Sequence, residues 1–450
     1  MGSPNPSGGA SRRAAAAARP GERFWIETLG CPKNAVDSDK VAASLLGDGL
    51  TRARSAADAD LVVVNTCAFI EAARQESIDT ILALSDARKG GARLVVTGCL
   101  AERYGGELAA ALPEADAVVG FAGEGSIAEV VLRRPPRGGP RDLLELPRPA
   151  PSAPWAYVKV AEGCDRTCAF CAIPSFRGKQ RSRAPESILA EARALVAGGA
   201  RELVLVAQDL ASYGRDAGSP GALTPLLGSL DGLSAEGLAR LRLLYLYPSQ
   251  VRDPLVGAML DLETPVPYFD LSLQHASEPL LKRMRRWGSG ERFLEMIDAV
   301  RRREPAAAFR SSFIVGFPGE TEEDHEELLA FLDAAGLDWA GLFPFSPEDG
   351  TPAAVMDGAV DDDVVKERLD ELSVLQDRIT QATRDGLVGT RVDVLVDGNE
   401  GGVPVGRTHR EAPEIDGVVR LDGEAQQVPG TIVTAEVVSA AGPDLVAVAG

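Results

Sequence analysis

The chain has 450 residues, 45% of them apolar and 25% charged, and 66 Asp and Glu against 47 Lys and Arg give a net charge of −19. That length is too great for one compact core and predicts several domains. No stretch approaches the ~18 consecutive apolar residues of a membrane helix, and a pI near 4.8 argues against a protein that holds nucleic acid by bulk charge.

Residues 1–21 are dominated by Gly, Ser, Pro, Ala and Arg. The run Ala14–Ala18 falls short of the apolar core of a signal peptide, about 7–15 residues, so residues 1–21 read as a disordered leader. A chain that is not exported is expected in the cytoplasm, a reducing compartment where structural disulfides are rare. Its six cysteines then serve burial, reactivity or metal ligation.

Residues 22–133 alternate short apolar runs with helical patterns. Strands are expected at Arg23–Thr28, Leu61–Asn65 and Leu94–Thr97, closed by Ala117–Val119. Helices are expected at Asp37–Leu46, around Ile70–Leu84 and at Ala101–Ala111. This is the pattern of a parallel α/β sheet. Residues 134–154 carry seven prolines in 21 positions, which predicts an extended linker outside any core. Residues 155–382 alternate again. Strands are expected at Tyr157–Ala161, Leu203–Ala207, Leu243–Leu246, Phe269–Leu273, Phe313–Gly316 and Gly341–Phe345, with helices between them such as Pro185–Ala197 and Glu291–Arg303. Some six βα units in this length fit a full or partial (β/α) barrel. Residues 383–450 change to Val-alternating runs at Val392–Val396, Val418–Leu421 and Thr431–Val438, split by Gly and Asp turns, which predicts a small antiparallel β-barrel.

The chemistry sits in the cysteines. Cys164, Cys168 and Cys171 form C-x3-C-x2-C in the loop leaving the strand YVKVA. Three thiolates within eight residues can wrap one cluster or metal, and with a [4Fe–4S] cube three ligands leave one iron open to a small molecule. Zinc prefers four ligands, and no His or fourth Cys lies nearby in sequence. Cys31, Cys67 and Cys99 lie 36 and 32 residues apart. Each directly follows a strand, so in a parallel sheet all three reach the edge where ligands bind. A second three-cysteine cluster is expected there, with scattered core cysteines as the alternative.

The motif GCDRTCAFC, with Phe170 immediately before its third cysteine, resembles the signature of the radical S-adenosylmethionine (radical SAM) superfamily. An N-terminal α/β domain with three dispersed cysteines, a radical SAM domain and a C-terminal β-barrel resembles the methylthiotransferases over residues 22–449. TLGCPKNAVDSD (Thr28–Asp39), FSPEDGT (Phe345–Thr351) and GRTHREAPEIDG (Gly406–Gly417) resemble the RimO-type branch, which acts on a ribosomal protein, and the barrel resembles a TRAM domain. The resemblance implies a methylthio group added to the β-carbon of an aspartate in small-subunit ribosomal protein S-twelve. It implies two [4Fe–4S] clusters and SAM as cofactors. Cys164, Cys168 and Cys171 would hold the SAM-cleaving cluster, and Cys31, Cys67 and Cys99 the cluster that carries the sulfur. It also implies a one-electron donor such as flavodoxin or ferredoxin, and no membrane partner.

SAM is expected across the strand C-termini of the barrel. The candidates are Phe170, Gln208, Asp209, Gln274, His275, and Gly316 and Gly319 in the turn GFPGE. An ordinary strand-to-helix turn is the alternative for those glycines, and a core hydrogen bond the alternative for Gln274 and His275. His325 in ETEEDHEE is expected in a solvated first helical turn, and His409 at a surface contact. Arg177, Lys179, Arg181 and Arg183 form the basic run RGKQRSR, either facing substrate or SAM or forming a solvated loop. Two other functions compete. A MiaB-type enzyme acts on tRNA adenosine, but residues 388–450 hold four arginines against ten acids, a balance of −6 that disfavours phosphate. A non-catalytic metal-cluster scaffold would bind metal without cleaving SAM.

Overall fold

The runs RFWIET, LVVVNT and RLVVTG form strands because β-branched and apolar side chains suit a sheet covered on both faces. In the computed structural model, which describes residues 21–124, 127, 142–423 and 427–450, they are β1 (Arg23–Thr28), β3 (Leu61–Thr66) and β4 (Arg93–Gly98). With β2 (Thr51–Arg52) and β5 (Ala117–Val118) they build a parallel sheet in the order β2-β1-β3-β4-β5. Every residue of β3 and β4 is buried, and each buried Val or Leu contributes roughly 1.5–3 kcal/mol. Helices α1 (Pro32–Gly47), α2 (Glu71–Ala87) and α3 (Cys99–Ala111) follow β1, β3 and β4. Pro32 at the first turn of α1 loses no hydrogen bond there.

The described residues divide into two compact units, those up to Pro149 together with Ala172–Gly178, and those of Ala150–Cys171 together with Lys179–Gly450. The expected leader, apart from Gly21, and the linker's residues 134–141 lie outside the described residues. The rest of the linker is not wholly free of the fold. Leu144 is buried, and Leu143 packs against the core of the first unit. The segment Ala172–Gly178, expected in the middle domain, belongs to the first unit. Its Ala172, Ile173 and Phe176 pack in one apolar cluster with Cys99, Leu100 and Leu108.

In the second unit, β6 (Trp155–Lys159), β9 (Glu202–Val206) and β10 (Arg240–Leu243) run parallel, as do β11 (Tyr268–Gln274), β12 (Ala308–Val315) and β13 (Trp339–Pro344). Parallel bridges from Leu241 to Pro265 and from Leu246 to Leu271 join the two triplets. The result is a six-stranded partial (β/α) barrel. The strand expected at Leu243–Leu246 lies earlier, at Arg240–Leu243. Two arginines in RLRL hide a strand whose charged side chains are buried, Arg242 on Glu202 and Arg240 on backbone carbonyls. The short pair β7 (Ala161–Glu162) and β8 (Arg181–Ser182) flanks the cysteine loop.

The last residues close a five-stranded barrel in the order β14-β15-β16-β18-β17, from β14 (Arg391–Glu400), β15 (Val403–Arg407), β16 (Val419–Asp422), β17 (Ile432–Ala441) and β18 (Asp444–Ala449). It is antiparallel except for β16 and β18, which pair parallel. Its core is Val394, Val396, Val419, Leu421, Ala435, Val437, Leu445 and Ala447. No helix among the described residues is long and apolar enough to cross a membrane.

Candidate active site

In the first unit, three chain turns at the C-terminal edge of the parallel sheet each end on a cysteine. Cys31 caps the N-terminus of α1 and Cys99 opens α3, where the helix dipole favours a thiolate. Cys67 leaves β3, and its N–H and carbonyl both bond the Ser77 hydroxyl at 3.0 Å. Polar side chains tie the turns together. The Asn34 amide donates to the carbonyls of Leu29 (2.8 Å) and Thr66 (3.1 Å), and the Asn65 amide donates to the Asn34 carbonyl (2.9 Å). Two glycines allow the close approach. A Cβ on Gly30 would stand 2.9 Å from the Cys67 sulfur, and one on Gly98 2.6 Å from the Thr66 backbone. Both have positive φ.

The three thiols share one neighbourhood and act on one another's charge. Burial pushes Cys99 up to about 12, against the pull of Arg177 and with the help of Cys31 and Cys67. Burial and then Cys31 raise Cys67. Cys31 resists burial and is lowered, because Lys33, Arg177 and local backbone N–H groups favour its thiolate. Buried thiols of this kind ionise when a cation replaces their protons, so the donor set fits a thiolate-bound iron–sulfur cluster. Among the described residues, no three His, Cys, Asp or Glu side chains close as tightly as a single ion requires; the corners of a cube stand further apart.

In the second unit, Cys164, Cys168 and Cys171 lie on one loop. The Arg166 N–H points at the Cys164 sulfur (3.4 Å) and Arg286 Nη1 at the Cys168 sulfur (3.4 Å). Burial pushes Cys164 up to about 11, with Asp209 and Cys168 adding to it against the Arg166 N–H. The Arg166 and Arg286 guanidiniums lie 3.6 and 4.1 Å from the Tyr247 ring centre. Sequence reasoning missed Tyr247 and Arg286, since no spacing links them to the motif, and passed over Arg166 although it stands inside the motif between Cys164 and Cys168.

The expected SAM contacts divide. Phe170 packs on the apolar core. Gln208 donates to Glu162 (2.6 Å) and Asp209 binds Arg166 (2.7 Å), yet Gln208 Oε1 and Asp209 Oδ1 are buried with no hydrogen-bond partner. Gln274 ends β11 at φ +77°; among the described residues Tyr245 (+63°, in the loop after β10), Arg285 (+56°, before Arg286) and Glu414 (+68°, in the C-terminal barrel) are the other non-glycine residues with positive φ. Positive φ in non-glycine residues gathers at functional sites. The GFPGE turn is closed on itself. Glu320 accepts the N–H groups of Gly316 (2.6 Å) and Phe317 (3.1 Å), and the Gly358 carbonyl accepts the Gly319 N–H (2.6 Å). Those glycines therefore have protein partners where a ligand was expected.

His275 is fully buried, and its Nδ1 accepts the Ser277 N–H at 3.1 Å. Burial lowers it to about 4; Asp324 opposes the shift, and His325 and Arg368 add to it. A depressed folded pKa gives stability that is full above pH 6.5 and lost as pH falls towards 4. Lowering pH across that window is expected to remove about 3 kcal/mol. Urea unfolding of His275→Gln should show that much less pH dependence; an unchanged slope would refute it.

The other polar expectations also shift. His325 is buried, its Nε2 2.8 Å from Glu371. His409 Nε2 lies 2.8 Å from the Ala306 carbonyl, inside the fold of the second unit. Arg183 is buried on Glu191 (2.8 Å), and Arg177 is buried in the first unit, while Lys179 and Arg181 are exposed. The basic run is therefore no single solvated loop. GRTHREAPEIDG seats the barrel on the partial barrel within the second unit: Arg407 binds Glu202 (2.8 Å), Arg410 binds Asp338 (2.8 Å) and the Tyr268 hydroxyl binds Asp416 (2.6 Å).

Residues 158–332 match the radical SAM superfamily, residues 388–449 the TRAM domain, and residues 23–120 a family described as Uncharacterized protein family UPF0004. A solved radical S-adenosylmethionine methyltransferase, TsrM from Kitasatospora setae, superposes with a TM-score of 0.51 at 14% identity, over 74% of this chain and 75% of that one. Fold and domain content thus define a three-domain radical SAM protein. The ribosomal protein uS12 methylthiotransferase RimO of Saccharopolyspora erythraea is 44% identical over 94% of both chains, and that of Moorella thermoacetica 45% over 92% of this chain and 95% of its own. The chain belongs to the RimO family of ribosomal protein uS12 methylthiotransferases.

Proposed function

We propose that this chain is a radical SAM methylthiotransferase that places a methylthio group on the β-carbon of an aspartate in ribosomal protein uS12. The observation that carries the reading is the second cysteine triad, gathered at one sheet edge in a chain that belongs to the RimO family. A SAM-cleaving site needs only one triad, and a sulfur-inserting enzyme has use for another.

Cys164, Cys168 and Cys171 hold one [4Fe–4S] cluster, and Cys31, Cys67 and Cys99 hold the other. When bound, the first cluster and SAM supply hydrogen-atom abstraction from an unactivated carbon, which no side chain can perform. The chain supplies position. Arg286 donates to Cys168, and Arg166 fixes Asp209. The unpartnered Gln208 Oε1 and Asp209 Oδ1 suit the ammonium and ribose donors of SAM. Exposed acids on the barrel, among them Asp393, Glu400, Glu414, Asp422 and Glu436, suit a basic protein better than tRNA phosphate. A flavodoxin- or ferredoxin-type donor in the cytoplasm provides the electrons.

The test is anaerobic. Reconstituted chain, SAM and dithionite are incubated with uS12, and separately with unmodified tRNA. The expected products are 5′-deoxyadenosine and uS12 carrying one methylthio group on an aspartate. A methylthio group on tRNA adenosine with uS12 unchanged would favour the MiaB-type reading, and the absence of deoxyadenosine would favour a scaffold.

A further inference from the structure

Arg177 follows the radical SAM triad by six residues in the chain, yet its segment is part of the first unit. The short helix Ile173–Arg177 buries Phe176 in that unit's core and turns Arg177 inward. Its side chain is 3% exposed. The guanidinium makes several contacts at once. Nε and Nη2 donate to the Cys99 sulfur at 3.4 and 3.2 Å, Nη2 donates to Asn34 Oδ1 at 2.7 Å, and Nη1 pairs with Asp37 Oδ2 at 3.2 Å. Its carbon lies 4.4 Å from the centre of the Phe121 ring. Asn34 in turn holds the turns that carry Cys31 and Cys67.

We propose that Arg177 is a positioning residue for the N-terminal cluster: it hydrogen-bonds the Cys99 thiolate, balances the charge of the three thiolates, and thereby raises the cluster's reduction potential. This rests on the reading of Cys31, Cys67 and Cys99 as cluster ligands. Three thiolates bring three negative charges into a buried edge, and Arg177 is a permanent cation whose field reaches all three sulfurs. Lys33, the other cation facing them, acts mainly on Cys31. Hydrogen bonds to sulfur and local net charge set the potential of such clusters. A donor fork is also required. Arg can reach sulfur, amide and carboxylate together, whereas Lys offers a single point charge.

The test uses the full chain with Cys164, Cys168 and Cys171 all replaced by Ala, so that only the N-terminal cluster is read. Iron content is measured, and dithionite reduction is followed by electron paramagnetic resonance at controlled potential. Arg177→Gln is expected to keep its iron and to need a more negative potential for reduction. The reduced-to-oxidised ratio at a fixed potential should fall at least tenfold, which is 59 mV for a one-electron couple. Arg177→Lys should shift in the same direction by less. Loss of iron from Arg177→Gln but not from Arg177→Lys also supports the assignment, because the charge is then what the thiolates need. An unchanged midpoint in Arg177→Gln at full iron overturns it. So does loss of iron from both variants together with loss of the near-ultraviolet circular dichroism of the folded chain, since Arg177 would then be a packing residue. If the triple alanine chain with Arg177 intact binds no iron, the underlying ligand reading itself has failed.

Discussion

Cys67→Ala is expected to abolish methylthio transfer to uS12 while leaving reductive cleavage of SAM intact. Cys67 sits where β3 ends, buried, with both backbone polar groups satisfied by Ser77. Removing its sulfur leaves two thiols at that sheet edge and leaves the loop of Cys164, Cys168 and Cys171 untouched in the other unit. Iron should fall from about eight to about four per chain, and deoxyadenosine should still form with dithionite. Cys168→Ala should do the reverse at the first step: deoxyadenosine disappears, transfer disappears with it, and about four irons remain on the N-terminal triad. Iron analysis, deoxyadenosine release and mass spectrometry of uS12 check the pair. Transfer by Cys67→Ala at the wild-type rate would remove the N-terminal triad from the reaction.

Much of this was legible in the sequence because it is written locally. The Val-rich runs and the helical patterns between them gave the parallel sheet, and the strand ends put Cys31, Cys67 and Cys99 on one edge. What the sequence hides is any polar residue whose partner is distant along the chain. RLRL at Arg240–Leu243 lacks the apolar run that marks the other strands, and Glu202 and the carbonyls of Arg407 and His409 receive its guanidiniums. His275 reads as a ligand contact or a core hydrogen bond and His325 as a solvated residue, and both are buried. The turn GFPGE reads equally as a cradle for a ligand or as an ordinary strand-to-helix turn, and Glu320, four residues past Gly316, folds back onto its N–H groups. Arg177 was singled out only by its basic neighbours, and those neighbours turned out to have separate surroundings. The charge of −6 on the barrel also divides. Glu411 binds Arg384, Asp397 binds Arg407, and Asp416 binds Tyr268 and Arg310. The acids left on the surface are those available to a partner.

Glu202→Gln is expected to destabilise the second unit by about 3–5 kcal/mol, as breaking a buried ion network does. Glu202 on β9 is fully buried between two arginines, 2.7 Å from Arg242 and 2.8 Å from Arg407. Arg407 also forks onto Asp397 at 2.6 and 2.9 Å, and Arg240 donates to the backbone carbonyls of Arg407 and Asp393, both at 2.7 Å. Glu202 is thus the carboxylate at the centre of this network, beside the separate Arg410–Asp338 and Tyr268–Asp416 contacts that also join the C-terminal barrel to the partial barrel. Burial opposes its charge, but Arg242, Arg407 and Arg240 outweigh burial and hold Glu202 at about 2. Because the folded pKa lies below the ordinary 4.5, this stabilisation is complete above pH 4.5 and is lost as pH falls towards 2. Glutamine keeps the shape and removes the charge, leaving the buried Arg242 guanidinium with no carboxylate, while Arg407 keeps Asp397. Denaturant unfolding at pH 7 measures the loss, and limited proteolysis between Asp385 and Arg391 reports release of the barrel. Adding Arg242→Met to Glu202→Gln should recover part of the stability, since it removes the charge left without a carboxylate. Deoxyadenosine release without substrate should survive in Glu202→Gln, whereas transfer to uS12 should fall if the fastened barrel orients the substrate. A loss below about 1 kcal/mol, the range of a solvent-exposed pair, would mean that the remaining seam contacts, and not this carboxylate, hold the barrel in place.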